Sequence, residues 1–382
     1  MSINAESKRG RAALMVMHCA GMVDLVALSV WVGALIAAYG FDAQQAGGLP
    51  TLFLAGAVLS SITLAPRIQT LPGRWVAGFG FALAALAFLM ASTTAVYAML
   101  ALLHAVAGLA VGAALSVTHG TIARSANPHR LFAVVGIALG VFAVIFLGAA
   151  PQLIAATGGP ALFHAFAGIM ALGSVAALLA FPSASAAAPV AAQVTTPAEP
   201  LPKVVWFGIV GIACMTLIQA MIFSFLESVG AYRGFERAAI NGVLIALGVV
   251  NLLPAALAAM LEKRIPARGV LLAGPALQVV LATLIMVSQS FGPYAVAASL
   301  FAAVMIFTHT FAFGLLARLD TSGRALAATP AMLMIGSALG PFLGGTLIEF
   351  SGYGTLALTA ACLGVVAIVC FSRLPAAYQQ GH

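Results

Sequence analysis

Residues 12–38 read AALMVMHCAGMVDLVALSVWVGALIAA, a run of twenty-seven positions with one charge, Asp24. A bilayer-crossing helix needs about 20 predominantly apolar residues, so this run is long enough to span. Lys8, Arg9 and Arg11 precede it, as at the head of a signal peptide, but the apolar stretch is too long for one. Eleven similar runs follow, at 49–66, 75–92, 95–121, 131–151, 161–181, 204–228, 239–261, 269–289, 293–317, 325–349 and 353–372. Most connections are very short and leave no room for a soluble domain. The runs are continuously apolar rather than alternating, which points to helices and against a β-barrel. The sequence predicts an all-α polytopic membrane protein with twelve transmembrane helices.

Composition agrees. Of 382 residues, 63% are apolar and 7% charged, against about 45–50% and about 25% in a soluble domain. So few charges cannot cover a water-facing surface, which excludes a soluble enzyme, a disordered chain and a nucleic-acid binder. The net charge of +7 rests on 16 basic and 9 acidic residues, and their placement records topology. With the N-terminus in the cytoplasm, Lys8, Arg9, Arg11, Arg67, Arg74, Arg124, Arg130, Lys203, Lys263, Arg264, Arg268, Arg318, Arg324 and Arg373 all fall on the cytoplasmic side. Only Arg233 and Arg237 fall outside. This bias is the positive-inside pattern, and one missed span would scatter it. The expected location is a cell membrane (the inner membrane in a bacterium), with both termini cytoplasmic. Cys19, Cys214, Cys362 and Cys370 all lie within spans without metal-ligand spacing and read as small packing residues.

Residues 182–202 read PSASAAAPVAAQVTTPAEPLP. Prolines, small residues and a single charge form no core. The expected organisation is an N-terminal six-helix bundle (1–181), a cytoplasmic linker (182–202) and a C-terminal six-helix bundle (203–382). Three arginines repeat at one offset of 194: Arg74 with Arg268, Arg124 with Arg318, and Arg130 with Arg324. Loop arginines share a side, but a common spacing points to a parallel duplication, as in repeat-built transporters.

With twelve spans in two halves, a cytoplasmic central linker and cytoplasmic termini, the chain resembles the major facilitator superfamily. Gly336-Ser-Ala-Leu-Gly340-Pro341-Phe-Leu-Gly344-Gly345 in span eleven fits the family's GxxxGPxxGG pattern. Glycines let a neighbouring helix approach and proline bends the helix, so a helix-packing role is expected of Gly336, Gly340, Pro341, Gly344 and Gly345. In antiporters of the family the pattern sits in span five, where this chain has only Gly136-Ile-Ala-Leu-Gly140. The loop after span two keeps Gly73 and Arg74 but lacks the family's Asp, whereas the matching loop in the second half keeps Glu262 with Lys263, Arg264 and Arg268. The resemblance implies a cytoplasmic latch among Arg74, Arg124, Arg130, Glu262, Arg268, Arg318, Asp320 and Arg324. The alternative is topogenic charges in water, where an exposed pair contributes about 0–1 kcal/mol. In span four, His104 stands where the family often has an arginine before glycines.

Ionisable groups inside spans are costly and tend to face wet cavities. Asp24, near the centre of span one with no Lys or Arg at similar depth, is the main proton-coupling candidate; the alternative is a protonated Asp that bonds a neighbouring helix. His309, flanked by Thr308 and Thr310, is the second. Candidates for a substrate cavity or gate are Glu227, near the outer end of span seven, with Gln219, Asn251, Gln278 and His104. His18 and His164 read as packing histidines. No buried cation is expected, which disfavours strongly anionic cargo. No nucleotide loop occurs, and no cofactor, metal site or enzymatic constellation is expected.

The resulting expectation is a secondary active transporter of a small solute, proton-coupled and working by alternating access. It leans to efflux of a neutral or cationic apolar compound. The alternatives are proton-coupled uptake of a sugar or small organic acid and, in another class, a non-transporting membrane receptor or scaffold. The expected partners are the solute, protons and the lipid bilayer, with no nucleic acid, and the expected state is a monomer.

Overall fold

Within hydrocarbon a backbone has no water to bond, so each apolar run must satisfy its own N–H and C=O groups. A computed structural model describes residues 3–68, 70–182, 202–262, 264–319 and 329–375. Among these residues every regular element is helical. Twelve helices or helix pairs are long and apolar enough to cross a membrane: Lys8–Tyr39, Ala43–Arg67, Gly73–Ala91, Tyr97–Ala123, Arg130–Thr157, Pro160–Ala180, Lys203–Ser224, Arg237–Leu261, Ala267–Val287, Phe291–Leu316, Leu333–Ser351 and Gly354–Ser372. They are spans one to twelve below.

Three spans that the sequence presents as continuous are broken. Span one divides into Lys8–Gly21 and Val23–Tyr39 around Met22, whose φ of −111° and ψ of 20° leave the helical region. The helix of span seven ends at Ser224 and a short helix, Leu226–Tyr232, continues beyond Phe225. Span eight divides into Arg237–Val250 and Pro254–Leu261. The last break follows from Pro254, which supplies no N–H and starts a new helix at its first position. The first two have no proline, and apolar periodicity gives no sign of them.

Contacts divide the chain into two compact units, Met1–Tyr39 with Leu52–Ala198 and Gly40–Thr51 with Glu199–His382. The first turns of span two therefore group with the second unit, a division different from the simple halves of the sequence reading. The cause is backbone proximity. A Cβ on Gly47 would collide with the Pro341 carbonyl, and one on Gly345 with the Ala43 carbonyl. Of the expected linker, only residues 182 and 202 are described.

Each unit repeats one packing scheme. In the first, span three packs on spans four and six, and span one on spans four, five and six. In the second, span nine packs on spans ten and twelve, and span seven on spans ten, eleven and twelve. The offset of 194 recurs in residue contacts. Gly80 faces Ala114 as Gly274 faces Thr308, and Gly120 lies beside Ile68 as Gly314 lies beside Glu262. It recurs again in the turns, where Gly40 (φ 68°) pairs with Gly234 (φ 78°) and Gly158 (φ 92°) with Gly352 (φ 76°). Left-handed φ demands glycine, so the same turns are kept in both copies.

Candidate functional site

The break in span one places its acid. The Met22 N–H still donates to the His18 carbonyl at 3.0 Å, closing the first helix, and the second begins at Val23 with Asp24 in its first turn. Asp24 is 7% exposed. Among the described residues the ion pairs are Arg11–Glu6 and Arg318–Glu262, so no Lys or Arg lies within 4.0 Å of Asp24. The start of a helix carries partial positive charge. It takes the place of the cation that the sequence lacks at this depth.

A second polar contact in the same unit joins histidines 101 residues apart. Nδ1 of His18 lies 2.9 Å from Nε2 of His119, with ring centroids 5.1 Å apart. His119 is not among the sequence candidates, and His18 read as a packing histidine. Nothing in the sequence pairs them, because the contact depends on how spans one and four meet.

His104, expected beside a cavity or gate, sits instead in a closed aromatic core. It is fully buried against Trp31, Phe88 and Phe163. Nε2 accepts from the Trp31 indole N–H at 3.3 Å, and Nδ1 lies 2.6 Å from the Leu100 carbonyl. An Nδ1–H tautomer satisfies both contacts at once. Extra protonation would turn Nε2 against the indole N–H, so the arrangement suits a neutral packing residue.

The second unit holds amides. Gln278 is fully buried; its Nε2 donates to the Met215 carbonyl at 3.1 Å and lies 3.4 Å from Gln219 Oε1. Gln278 Oε1 has no partner among the described residues. Asn251 ends the first segment of span eight, and its Oδ1 also lacks one. His309 packs on Phe313 at 5.1 Å. The hydroxyls of Thr308 and Thr310 bond their own helix, at Val304 O and Ile306 O, rather than the imidazole.

Glu227 opens the short helix after the span-seven break. Beside it the Tyr294 hydroxyl donates to Leu226 O at 2.9 Å, and Arg233 donates to Met286 O at 3.0 Å. The residues expected in a latch lie as follows. Arg318 pairs with Glu262 at 2.8 Å, both half-exposed, and Arg268 donates to Ser372 O at 3.2 Å. In the first unit Ile68 stands where Glu262 stands in the second, and none of Arg74, Arg124 and Arg130 forms an ion pair among the described residues. Arg74 lies over the Trp75 ring at 5.3 Å. Asp320 and Arg324, with Lys263, lie outside the described residues.

The span-eleven motif faces two ways. Gly336, Gly340 and Gly344 admit span seven, at Ala213 and Leu217, Ala220 and Met221, and Met221 and Phe225. Pro341 and Gly345 meet the start of span two. There the Phe342 N–H donates to Thr51 Oγ1 at 3.2 Å, and Gln44 Nε2 donates to Thr346 Oγ1 at 3.0 Å. Among the described residues no group of three His, Cys, Asp or Glu side chains could hold a metal ion.

Known proteins place this architecture. The fold matches a solved variant of the nucleoside transporter NupG at TM-score 0.74 and 15% identity, over 95% of this chain and 98% of that one. It also matches a bacterial homologue of the human lysosomal transporter Spinster, inward-facing and occupied, at TM-score 0.70 and 14% identity over 95% and 93%. No curated protein matches in sequence. The family model of the Major Facilitator Superfamily matches residues 14–322. A twelve-span membrane protein built from two copies of one packing scheme, and matched by that model over most of its length, belongs to the major facilitator superfamily.

Proposed function

We propose that the chain is a proton-coupled secondary transporter working by alternating access of its two six-span bundles, residues 1–181 and 203–382, with both termini cytoplasmic. The observation that carries this reading is Asp24: a buried carboxyl at mid-span, in the first turn of the helix that follows a break, with no cation within 4.0 Å among the described residues. Such a group binds and releases a proton without breaking an ion pair. Its loaded and empty forms differ by a full charge in a medium where charge is costly, so each favours a different exposure to water. The solute is neutral or cationic and fairly apolar, and efflux is the favoured direction. A second reading, uptake of a neutral solute bearing O–H or N–H groups, such as a sugar, is favoured by the unpartnered Oε1 of Gln278 beside Gln219.

The test is purified protein in liposomes under an imposed pH gradient, screened with lipophilic cations, sugars, organic acids and nucleosides. Nucleosides belong in the panel because a fold neighbour is a nucleoside transporter. Accumulation should follow the gradient and collapse when a protonophore dissipates it. Flux that ignores the gradient rejects the coupling, and absence of flux for every solute leaves the receptor or scaffold reading.

A further inference from the structure

We infer that His18 and His119 form a proton-binding site that holds one shared proton between spans one and four. Their nitrogens are 2.9 Å apart, so one ring donates and the other accepts when both are neutral. A first added proton keeps that bond and makes it charge-assisted, which strengthens it. A second turns donor against donor and drives the rings apart. The pair therefore has room for one proton and no more.

The duplicated scaffold shows that packing alone does not ask for histidine. At the offset of 194, His18 corresponds to Ile212 and His119 to Phe313. Ile212 is buried in an apolar cluster of the second unit, and Phe313 packs against that cluster. The same spans meet in both units. The second copy has apolar side chains at both positions, while the first keeps two polar rings there at the cost of desolvating them.

The surroundings leave the charge to the pair itself. Spans four, five and six and the second segment of span one pack around the first segment. On those elements, and on span three where it packs on span four, the groups that carry or take charge are Asp24 and Tyr39 beyond the break, Arg74 at the start of span three, Tyr97, His104 and Arg124 on and after span four, His129 and Arg130 at the start of span five, and His164 in span six. Among the described residues no carboxylate lies within 4.0 Å of either imidazole. Phe132 covers one side of the His119 ring at 5.7 Å. His119 is half-buried and His18 buried.

Uptake at the pair balances. A proton from water binds Nδ1 of His119 while Nε2–H of His119 keeps its bond to Nδ1 of His18. One proton enters, the pair carries one positive charge, and loss of that proton to water restores the neutral bond. His18 also lends its carbonyl to Met22 at the break before Asp24. The site thus adjoins the acid of the proposed coupling, although its existence does not depend on that coupling.

The experiment uses protons alone as the probe. The full chain, labelled with 15N in its seven histidine rings and held in lipid nanodiscs, is titrated by NMR from about pH 9 to about pH 4. Signals of His18 and His119 should move together in one step that takes up a single proton, with both rings reporting a shared N–H. His119→Gln should abolish that step and leave His18 neutral throughout. Two separate titrations, or rings that keep fixed neutral tautomers over the whole range, overturn the inference; the unsubstituted protein decides this without any variant. A joint titration with gradient-independent flux in liposomes would reject the coupling proposal and leave the site standing. Gradient-driven flux with no joint titration would do the reverse.

Discussion

The two units share a packing scheme and differ in what they bury inside it. At equivalent positions the first has Asp24, His18 and His119, where the second has Ile218, Ile212 and Phe313. The second has Gln219 and Gln278, where the first has Leu25 and Ala84. At these positions one copy keeps ionisable groups and the other keeps amides, although the second unit also carries Glu227 and His309. Duplication supplies two equal scaffolds, and departures from equality mark positions that packing did not dictate. Ile218 is fully buried, so an apolar residue satisfies the fold at the position of Asp24.

The hardest blow to that division comes at Asp24. Asp24→Asn keeps the shape and the acceptor oxygen while removing the charge. Gradient-driven accumulation should fall to background while solute exchange without a gradient persists. If accumulation stays at the unsubstituted level, the first unit is not the proton-carrying one. The next effect concerns the scaffold. Gly340 admits Ala220 and Met221 of span seven, and an added Cβ would stand 2.7 Å from the Met221 nitrogen. At the matching position in the first unit stands Phe146, stacked on Phe166. Gly340→Ala should therefore destabilise the protein by about 1–3 kcal/mol through overpacking, read as a lowered melting temperature.

A smaller effect tests the amides. Gln278→Ala installs the residue of the first unit; it removes a buried, unpartnered oxygen but also loses the bond to the Met215 carbonyl and leaves a cavity. Melting temperature should fall modestly while the apparent solute affinity weakens, with the pH dependence unchanged. A shifted pH profile would blur the proposed division. Least is expected at the half-exposed Glu262–Arg318 pair. Glu262→Gln should cost about 0–1 kcal/mol, and Ile68→Glu, which builds the same pair with Arg124, should gain no more. A large change in transport rate with either would make the pair a working latch rather than a surface contact.

Much of the fold was legible before any coordinates. Long apolar runs separated by arginines admit few other readings, and three arginine pairs at one spacing disclosed the repeat. The turn glycines carry the same sign. Gly40 with Gly234, and Gly158 with Gly352, repeat at the same spacing, and left-handed turns explain why glycine stays there. The site was less legible. Asp24 stood out because a lone acid in an apolar run is rare. His104 stood out for its place in a family motif, and proved to be locked between Trp31 and Leu100. His119 drew no attention, because the partner that gives it meaning lies 101 residues away.

The division follows from the range of the forces involved. Span number, helical type and the repeat depend on how each segment partitions into lipid, a property of local composition that twenty consecutive residues already express. The breaks at Met22 and Phe225, the helix start that faces Asp24, the shared imidazole contact and the two-faced glycine stripe of span eleven depend on which helices touch and in what register. Those contacts join residues far apart in the chain, and hydropathy is blind to them, because a histidine facing lipid and one facing a second histidine read the same in a single strand of sequence.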